Sequence, residues 1–424
     1  MKKPGFAFLN QLPRFPKIVL IVFVCIALFS PILSNNKPVL LIQHGHISSP
    51  SLFSNPYTTL FTKEGKPFTV RTDNIDWDTL QTGFVLKALI PYSAGQSDLA
   101  NSNYTSPLGK QVKDLGAEQK ELSFRNRHLL GTGNLGNDVL AGVIEGTRIS
   151  LSIGLGSMII AIIIGLSLGI ISGYYGNSLM RITRIQAMFM LILFIPAWFL
   201  SFTLRSHSIE QSFAYSVFSG VLNLSFSGLL FLLIFFLPAF FINKFSLPTF
   251  LGKKITIPID SIISRIIELF LALPRIIVLI TFALLFRPSV FSVILIIGLT
   301  SWTGIARMVR ALILSLREST YIDAGRSIGM SNFRLFRKHL LPATFSQLKV
   351  FAVYGIASAI LAETGLSFLG IGVPPDTVTW GQLLFQGKEN VSAWWLVLFP
   401  GLCVFLLLLS LNMLADSFEK KNLH

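Results

Sequence analysis

The chain has 424 residues, of which 52% are hydrophobic and 13% are charged, and its mean hydropathy is +0.65. This balance excludes an ordinary soluble globule of that length and is typical of a polytopic membrane protein. The net charge of +15 is compatible with a nucleic-acid partner, but the basic residues lie between apolar runs, as in the cytoplasmic loops of membrane proteins. We therefore expect a lipid bilayer as the environment and no nucleic acid.

Eight apolar runs predict membrane-spanning helices, since each approaches the ~20 residues that a bilayer crossing requires. The first run follows a basic N-terminus without a small-residue cleavage site, so we interpret it as an uncleaved span rather than as a signal peptide. The runs cover residues 18–33, 149–172, 185–204, 226–242, 266–286, 290–306, 350–371 and 393–414.

The distribution of Lys and Arg predicts the orientation of these spans. With the N-terminus inside, the short cytoplasmic segments hold 20 of these residues and the short external segments hold three. This bias places both termini in the cytoplasm. Residues 34–148 then form one long external loop, for which we expect a small and irregular extracytoplasmic subdomain.

The sequence lacks the common motifs of an enzyme that hydrolyses ATP or uses a metal. No phosphate-binding loop G-x-x-x-x-G-K-[ST] occurs, and the Gly-rich segment 131–138 has no lysine. Cys25 and Cys403 lie in apolar runs and the six histidines are scattered, so we expect neither a disulfide nor a metal site. The expected chain is non-catalytic and binds no cofactor of its own.

The basic segment 321–342 lies between two apolar runs on the cytoplasmic side. Asp323 is near the start of a predicted short helix, where a negative charge is favourable. Gly329 is expected to end that helix with a positive φ, and either Ser331 or Asn332 can cap a second helix. Composition alone leaves two interpretations open, a helical docking surface for a partner and an interfacial loop that binds lipid phosphates.

The second predicted helix of this segment covers residues 333–341 and ends at Pro342. It has an apolar face and a more exposed basic face. The residues of the two faces are Phe333, Phe336 and Leu340 on the first, and Arg334, Arg337 and Lys338 on the second.

The segment resembles the cytoplasmic signature of binding-protein-dependent ABC importer permeases, which reads E-A-A, three residues, Gly, nine residues, H-x-L-P. The spacing agrees throughout. The matching residues are Asp323, Ala324 and Gly325, then Gly329, and then His339, Leu340, Leu341 and Pro342. Asp323 stands where the family usually has Glu, and Gly325 stands where it usually has Ala.

Further segments are similar to the C-type permease of dipeptide, oligopeptide and nickel importers. They include "HLLGTGNLGNDVLAGVIEGTRISLSIGL", "GYYG", "DSIISRIIELFLALPRIIVLI", "SWTGIARMVRALILSLRES", "ILAETGLSFLGIGVPPDTVTWGQLL" and "WWLVLFPGLCVFLLLLSLNMLADSF". The resemblance covers about residues 131–176 and 260–418, and the region between them does not fit the family pattern. It implies an all-α polytopic membrane protein with a six-helix ABC importer permease core, a two-helix insertion and a long external loop after the first span.

The resemblance also implies a domain organisation. The parts are the cytoplasmic N-terminus and first span (1–33), the external loop (34–148), the second span (149–176), the inserted two-span segment (177–259) and the permease core (260–424) with its cytoplasmic coupling loop (307–349).

The function implied by the resemblance is import across the bacterial inner membrane. A permease of this family forms a path with a second homologous permease, and an extracytoplasmic substrate-binding protein delivers a peptide or nickel. Two cytoplasmic ATP-binding subunits drive the transport, so ATP and magnesium bind to them and not to this chain. The implied coupling residues are Asp323, Ala324, Gly325, Gly329, Phe333, Phe336, His339 and Pro342.

Glu363 is a separate candidate for the translocation path, because an ionisable residue within a span is a functional hypothesis by default. The alternative is a purely structural contact with a neighbouring helix. Two other classes of protein also remain as alternatives to an ABC permease, namely an ATP-independent channel or secondary transporter, and a membrane-anchored assembly factor.

Overall fold

The structure is a computed structural model that describes residues 14–43, 46–51, 57–61, 67–71, 77, 84–114, 119–177, 181–215, 217–241 and 254–422. Helices dominate these residues. They are α1 Arg14–Leu33, α2 Val139–Tyr175, α3 Arg184–Trp198, α4 Ser206–Tyr215, α5 Val217–Phe241, α6 Ile259–Ala272, α7 Arg275–Leu285, α8 Val290–Arg317, α9 Thr320–Ser327, α10 Asn332–Leu335, α11 Leu341–Phe368, α12 Trp380–Glu389 and α13 Trp395–Asn422.

Short strands occur outside these helices. Within the described residues they are β1 Leu40–Gln43, β2 His46–Ser48, β3 Tyr57–Phe61, β4 Pro67–Arg71, β5 Phe84–Leu86, β6 Val112–Asp114, β7 Gln119–Glu121, β8 Arg181–Thr183 and β9 Lys254–Thr256. All of their pairings are antiparallel.

The predicted all-α membrane architecture is confirmed by long apolar helices. In the part of the chain that the structure describes, six helical segments are long and apolar enough to cross a bilayer, and they lie in α1, α2, α3 with its extension to Ser212, α8, α11 and α13. The two other predicted runs coincide with α5, which holds the shorter apolar stretch Leu222–Pro238, and with the pair α6 and α7. Each of the eight apolar runs that the sequence predicts as spans therefore lies largely within helix.

Helix α2 begins at Val139, well before the predicted run that starts at residue 149. Its start is fixed by Asp138, whose Oδ1 accepts a hydrogen bond from the main-chain N–H of Ala141 over 2.6 Å. An aspartate there satisfies an N–H group that the first turn of a helix leaves without an intrahelical partner. Hydropathy could not show this start, because the first turns of the helix carry charged residues.

The predicted fifth span, residues 266–286, is not one straight helix. Helices α6 and α7 meet at an angle of 86°, and Leu273 and Pro274 lie between them. Pro274 has no N–H to donate, and its ring disfavours helical backbone at the residue before it. The expectation of a single continuous span is corrected to a broken helix pair.

The described chain divides into two compact units, of which the first comprises Met1–Gly169 and Ile267–His424. In this unit α13 packs against both α11 and α1. Trp380 of α12 is fully buried and donates a hydrogen bond from its indole nitrogen to the carbonyl oxygen of Val143 over 3.0 Å. Gly146 makes room for this ring, because a Cβ at that position would lie 2.6 Å from Cδ1 of the tryptophan.

The second unit comprises Ile170–Ile266. Helices α3 and α5 pack along each other in it, and the ring of Phe194 meets those of Phe231 and Phe235 edge to face. Strands β8 and β9 form an antiparallel pair. The predicted insertion, residues 177–259, lies within this unit, and its status as an insertion into a six-helix core stays a prediction.

The described part of the external loop is more regular than we expected from the sequence. Strand β1 pairs with β2 and β5, β3 pairs with β4, and β6 pairs with β7. Each strand has only three to five residues. An alternation of apolar and polar residues is hard to recognise over such short lengths.

A buried histidine ties this external region to the start of α2. His128 is fully buried, with Nδ1 2.8 Å from Oδ2 of Asp138 and Nε2 3.2 Å from Oδ2 of Asp98, and the Tyr92 ring stacks on it. Burial alone would lower the pKa of His128, but hydrogen bonds to Asp138 and Asp98 outweigh the effect of burial and raise the pKa to about 9. Burial would raise the pKa of Asp98, but hydrogen bonds from His128 and Asn101 hold it below its usual range.

Candidate functional site

Residues 321–342 are the predicted coupling segment. They start in α9, which ends at a glycine turn as the sequence predicts. Gly329 has a φ of +78°, and the main-chain N–H of Met330 donates to the carbonyl oxygen of Gly325 over 3.0 Å. A left-handed glycine produces this arrangement at the C-terminus of a helix. Around Gly329, no heavy atom of the described residues lies within 4 Å of an added Cβ. The requirement for glycine therefore comes from the backbone conformation and not from packing.

Ser331 caps the helix that follows, which decides between the two predicted capping residues. Its Oγ accepts a hydrogen bond from the N–H of Arg334 over 3.4 Å, and its carbonyl oxygen accepts one from the N–H of Leu335 over 3.0 Å. Helix α10 then continues into a π-helical turn, Phe336–Leu340, and from there into α11.

The prediction that Pro342 ends the second helix is wrong. Pro342 lies in the first turn of α11, and the residues from Arg337 to Phe368 form one helix. Proline is tolerated at the first positions of an α-helix, and Pro342 lies there in α11, directly after the π-helical turn. The wider hydrogen-bond spacing of the preceding π-helical turn lets the chain stay helical up to this proline.

One side of the coupling segment is packed into the protein. Ile322, Leu335 and Leu340 are only 1%, 3% and 4% exposed. Gly325 is buried as well, and a Cβ there would lie 2.6 Å from Cδ2 of Leu335. The glycine that departs from the usual family residue is therefore the point where α9 and α10 approach each other.

The other residues of the coupling segment leave a polar and accessible surface. Those that are exposed are Asp323, Ala324, Ser327, Ile328, Gly329, Ser331, Arg334, Arg337, Lys338 and Pro342. His339 is half-buried. The side chains of Phe333 and Phe336 lie outside the part of the structure that is described, so their contact with a partner stays a prediction.

Sequence analysis missed Ile328, which is 78% exposed at the end of α9. It lies between Ser327 and Gly329 and belongs to no apolar face of its helix. An isolated apolar residue at this position was the feature of the sequence from which a contact could have been predicted. Single exposed apolar residues are common, but this one adjoins the glycine turn of the only segment that we predicted to dock a partner.

Glu363 of α11 is fully buried among hydroxyl groups. Its Oε1 accepts a hydrogen bond from Ser367 Oγ over 2.8 Å, and its Oε2 accepts one from Ser150 Oγ over 3.1 Å. The second bond joins α11 to α2, across 213 positions of the sequence. This enclosure favours the structural alternative, and a role in the translocation path stays a prediction.

Another intramembrane charge, which sequence analysis left without a role, lines a cavity. Arg275 is the first residue of α7, and its guanidinium donates hydrogen bonds to Ser301 Oγ on α8 and to Ser358 Oγ on α11, each over 2.9 Å. The open cavity beside it has a volume of about 530 Å³ and is lined from α2, the α6–α7 bend, α8 and α11. A charged residue within a predicted span was the signal for it.

Comparison with known proteins agrees with this architecture. Residues 244–424 match the sequence model of the family described as "Binding-protein-dependent transport system inner membrane component". A "Putative peptide transport system permease protein" of Brucella suis biovar 1 is 39% identical over 158 residues, which are 37% of this chain and 53% of the relative.

Two other relatives carry the name "Dipeptide transport system permease protein DppC". The protein of Alkalihalophilus pseudofirmus is 27% identical over 290 residues, 68% of this chain and 69% of the relative. The protein of Bacillus subtilis is 34% identical over 163 residues, 38% of this chain and 51% of the relative. The chain thus spans about half the length of the first relatives it matches.

The long apolar helices define a multi-pass membrane protein. The match over residues 244–424 identifies this part of the chain as a permease domain of binding-protein-dependent transport systems.

Proposed function

We propose that this chain is the permease subunit of an ATP-driven importer of peptides in the bacterial inner membrane. The observation that carries the proposal is the accessible coupling segment, in which a capped pair of short helices presents Asp323, Ala324 and Gly329 at the spacing of the family signature. The peptide names of the relatives favour a peptide over nickel as the substrate.

In this proposal the chain's part in coupling is mechanical. An ATP-binding subunit contacts the exposed residues of the coupling segment, with Ile328 as an apolar contact between polar ones. Because α10 continues through a π-helical turn into α11, a force on the segment moves α11. The same helix carries Ser358 and Tyr354 at the cavity wall, so movement at the cytoplasmic end changes the shape of the cavity.

The remaining parts of the transporter are other chains. A second homologous permease completes the path, two ATP-binding subunits hold ATP and magnesium, and an extracytoplasmic protein delivers the peptide. Both termini of this chain face the cytoplasm, as the Lys and Arg bias predicts.

The test is reconstitution. The chain is co-expressed with the candidate partner subunits from the same gene cluster, purified as a complex and inserted into proteoliposomes. We expect uptake of a labelled peptide only under two conditions. ATP must be present on the side of the membrane that bears the ATP-binding subunits, and the substrate-binding protein must be present on the opposite side. Equal uptake without those subunits, driven by an ion gradient, would instead identify a secondary transporter.

A further inference from the structure

The guanidinium of Arg275 lies at mid-depth along α8 and α11, on a side of the helices where the side chain is exposed in this chain. It bonds to Ser301, eleven residues into α8, and to Ser358, seventeen residues into α11. At ~1.5 Å per residue these serines are about 16 Å and about 26 Å from the starts of their helices. A charge at such depth is unfavourable in hydrocarbon and persists where it faces a polar cavity or a ligand.

The hydrogen-bonding capacity of Arg275 is only partly used. A guanidinium has five N–H donors, of which two are engaged by serine hydroxyls. Within the described residues these are its hydrogen-bond partners, so three donors remain. Both partners are neutral, and the hydroxyl of Ser301 itself donates a hydrogen bond to the carbonyl oxygen of Ile297 over 2.6 Å. The serines thus hold the side chain in place without neutralising its charge.

The backbone beside Arg275 adds positive potential. Helix α7 starts at this residue, and the N–H groups of Ile277 and Val278 both bond to the carbonyl oxygen of Pro274. The N–H groups of the first turn otherwise have no intrahelical partner. The N-terminus of a helix carries partial positive charge, and half-helices in transporters often direct this end at an anionic substrate group.

The cavity has the size and the walls of a small-ligand site. Its volume of about 530 Å³ lies within the range of roughly 300–1,000 Å³ that is common for such sites. Phe270 and Phe351 supply partly exposed aromatic surface. Thr300 and Tyr354 also line the cavity, and their hydroxyls donate to the carbonyl oxygen of Ile296 and to Asp416. One charged group among apolar walls fixes the orientation of a ligand that has one anionic end.

We propose that Arg275 forms a carboxylate subsite, which takes the C-terminal carboxylate of a short peptide while the aromatic walls contact its side chains. The planar guanidinium matches a carboxylate through two parallel N–H bonds. This inference rests on the proposed peptide import. Beyond peptide import, the subsite makes Arg275 a residue that discriminates between peptides by the charge at their C-terminus.

The experiment compares uptake of a labelled tripeptide with a free C-terminus and of its C-terminal amide by the reconstituted complex. Wild type is expected to prefer the free acid. Arg275→Gln should lower uptake of the acid about tenfold, as loss of one charge-assisted contact does, and leave uptake of the amide within about twofold of wild type. Arg275→Lys keeps the charge and should retain part of the preference. Arg287→Gln removes an arginine just beyond the other end of α7 and serves as the matched control.

A direct binding measurement separates the subsite from the proposed function. The complex in lipid nanodiscs, without the binding protein, is titrated with a fluorescent N-acyl dipeptide whose only charge is its carboxylate. If wild type imports no peptide but binds this probe tightly, and Arg275→Gln loses that binding, peptide import is wrong and the carboxylate subsite stands. If wild type imports peptides and Arg275→Gln keeps both the acid preference and the probe affinity, the subsite is wrong.

Lipid phosphate is the competing source of an anion for this arginine. The uptake assay is repeated in vesicles with and without phosphatidylglycerol. An acid preference that is the same in both supports the peptide carboxylate. If removal of the anionic lipid reproduces the effect of Arg275→Gln in wild type, the arginine binds lipid and the proposal is overturned.

Discussion

Gly325 and Leu335 meet where the two short helices of the coupling segment approach each other, since a Cβ on Gly325 would lie 2.6 Å from Cδ2 of Leu335. The leucine is 3% exposed and has little room to move. Gly325→Ala restores the usual family residue, yet it should destabilise the segment by about 1–3 kcal/mol, as overpacking does. Leu335→Val in the same chain should recover part of the loss. Thermal unfolding of all four combinations gives the coupling energy, and strictly additive effects would contradict the contact.

Glycine is required at position 329 by the backbone conformation and not by packing. Its φ of +78° is unfavourable for a residue with a Cβ, while the surrounding space is open. Gly329→Val should cost about 1–2 kcal/mol, misalign α10 and reduce substrate-stimulated ATP hydrolysis by the complex. Gly329→Asn should be milder, since asparagine tolerates this conformation. Gly401→Val is the matched control, because that glycine is also in open space but within a regular helix. Full hydrolysis in Gly329→Val would contradict the role of the turn.

The glycine turn was predictable because a few adjacent residues determine it, whereas the sequence left the cap open between Ser331 and Asn332. The bend at Pro274 and the continuation of the helix through Pro342 were not, since the same residue type breaks the helix at the first position and is accommodated within it at the second. The difference depends on the local hydrogen-bond spacing, which the sequence does not display. Likewise, Glu363 and Arg275 look alike in sequence as charges within spans. Only packing encloses the first among hydroxyls and leaves the second at a cavity.

The enclosure of Glu363 predicts a stability effect rather than a change of specificity. Glu363→Ala removes the acceptor of the Ser150 and Ser367 hydroxyls, and leaving buried donors unpaired costs about 1–3 kcal/mol. Glu363→Gln keeps the shape and an acceptor oxygen, so it should cost less. The measurement is thermal unfolding in detergent beside uptake of several peptides. An altered peptide preference with unchanged unfolding temperature would assign Glu363 to the path instead.

The His128 cluster predicts how the external region responds to pH. The pKa of His128 rises from 6.5 in the unfolded chain to about 9, so the cluster's stabilisation is complete below about pH 6.5 and is lost as pH rises through 9. The pKa of Asp98 is lowered from 3.8, so its contribution is present above about pH 4 and is lost at lower pH. Protection of the external amides from hydrogen exchange should therefore fall between pH 6.5 and 9.

His128→Gln should remove most of that alkaline loss of protection, while the exposed His46→Gln should leave it unchanged. The shift of His128 corresponds to roughly 3 kcal/mol of stability at acidic pH. A wild-type protection profile that is flat up to pH 9.5 would contradict the charged form of the histidine.

The predicted orientation is open to a labelling test in a background without Cys25 and Cys403. A cysteine at Ser208 or Thr377 should react with a membrane-impermeant maleimide added from outside, whereas one at the exposed Ile328 should react only after the membrane is opened. The reason is the excess of Lys and Arg in the segments assigned to the cytoplasm. Labelling of position 328 from outside would reverse the topology.

The hydrogen bond between Glu363 and Ser150 fixes the long helix at one point. From Arg337 to Phe368 the chain is one helix. At ~1.5 Å per residue, its Arg337 end is about 39 Å from Glu363, and Ser358 is about 7.5 Å from Glu363. If the coupling movement proposed above tilts this helix by about ten degrees around Glu363, the Arg337 end moves by about 7 Å and Ser358 by only about 1.3 Å. The proposed coupling would then reduce a large displacement to one of the size needed to break the 2.9 Å contact between Ser358 and Arg275.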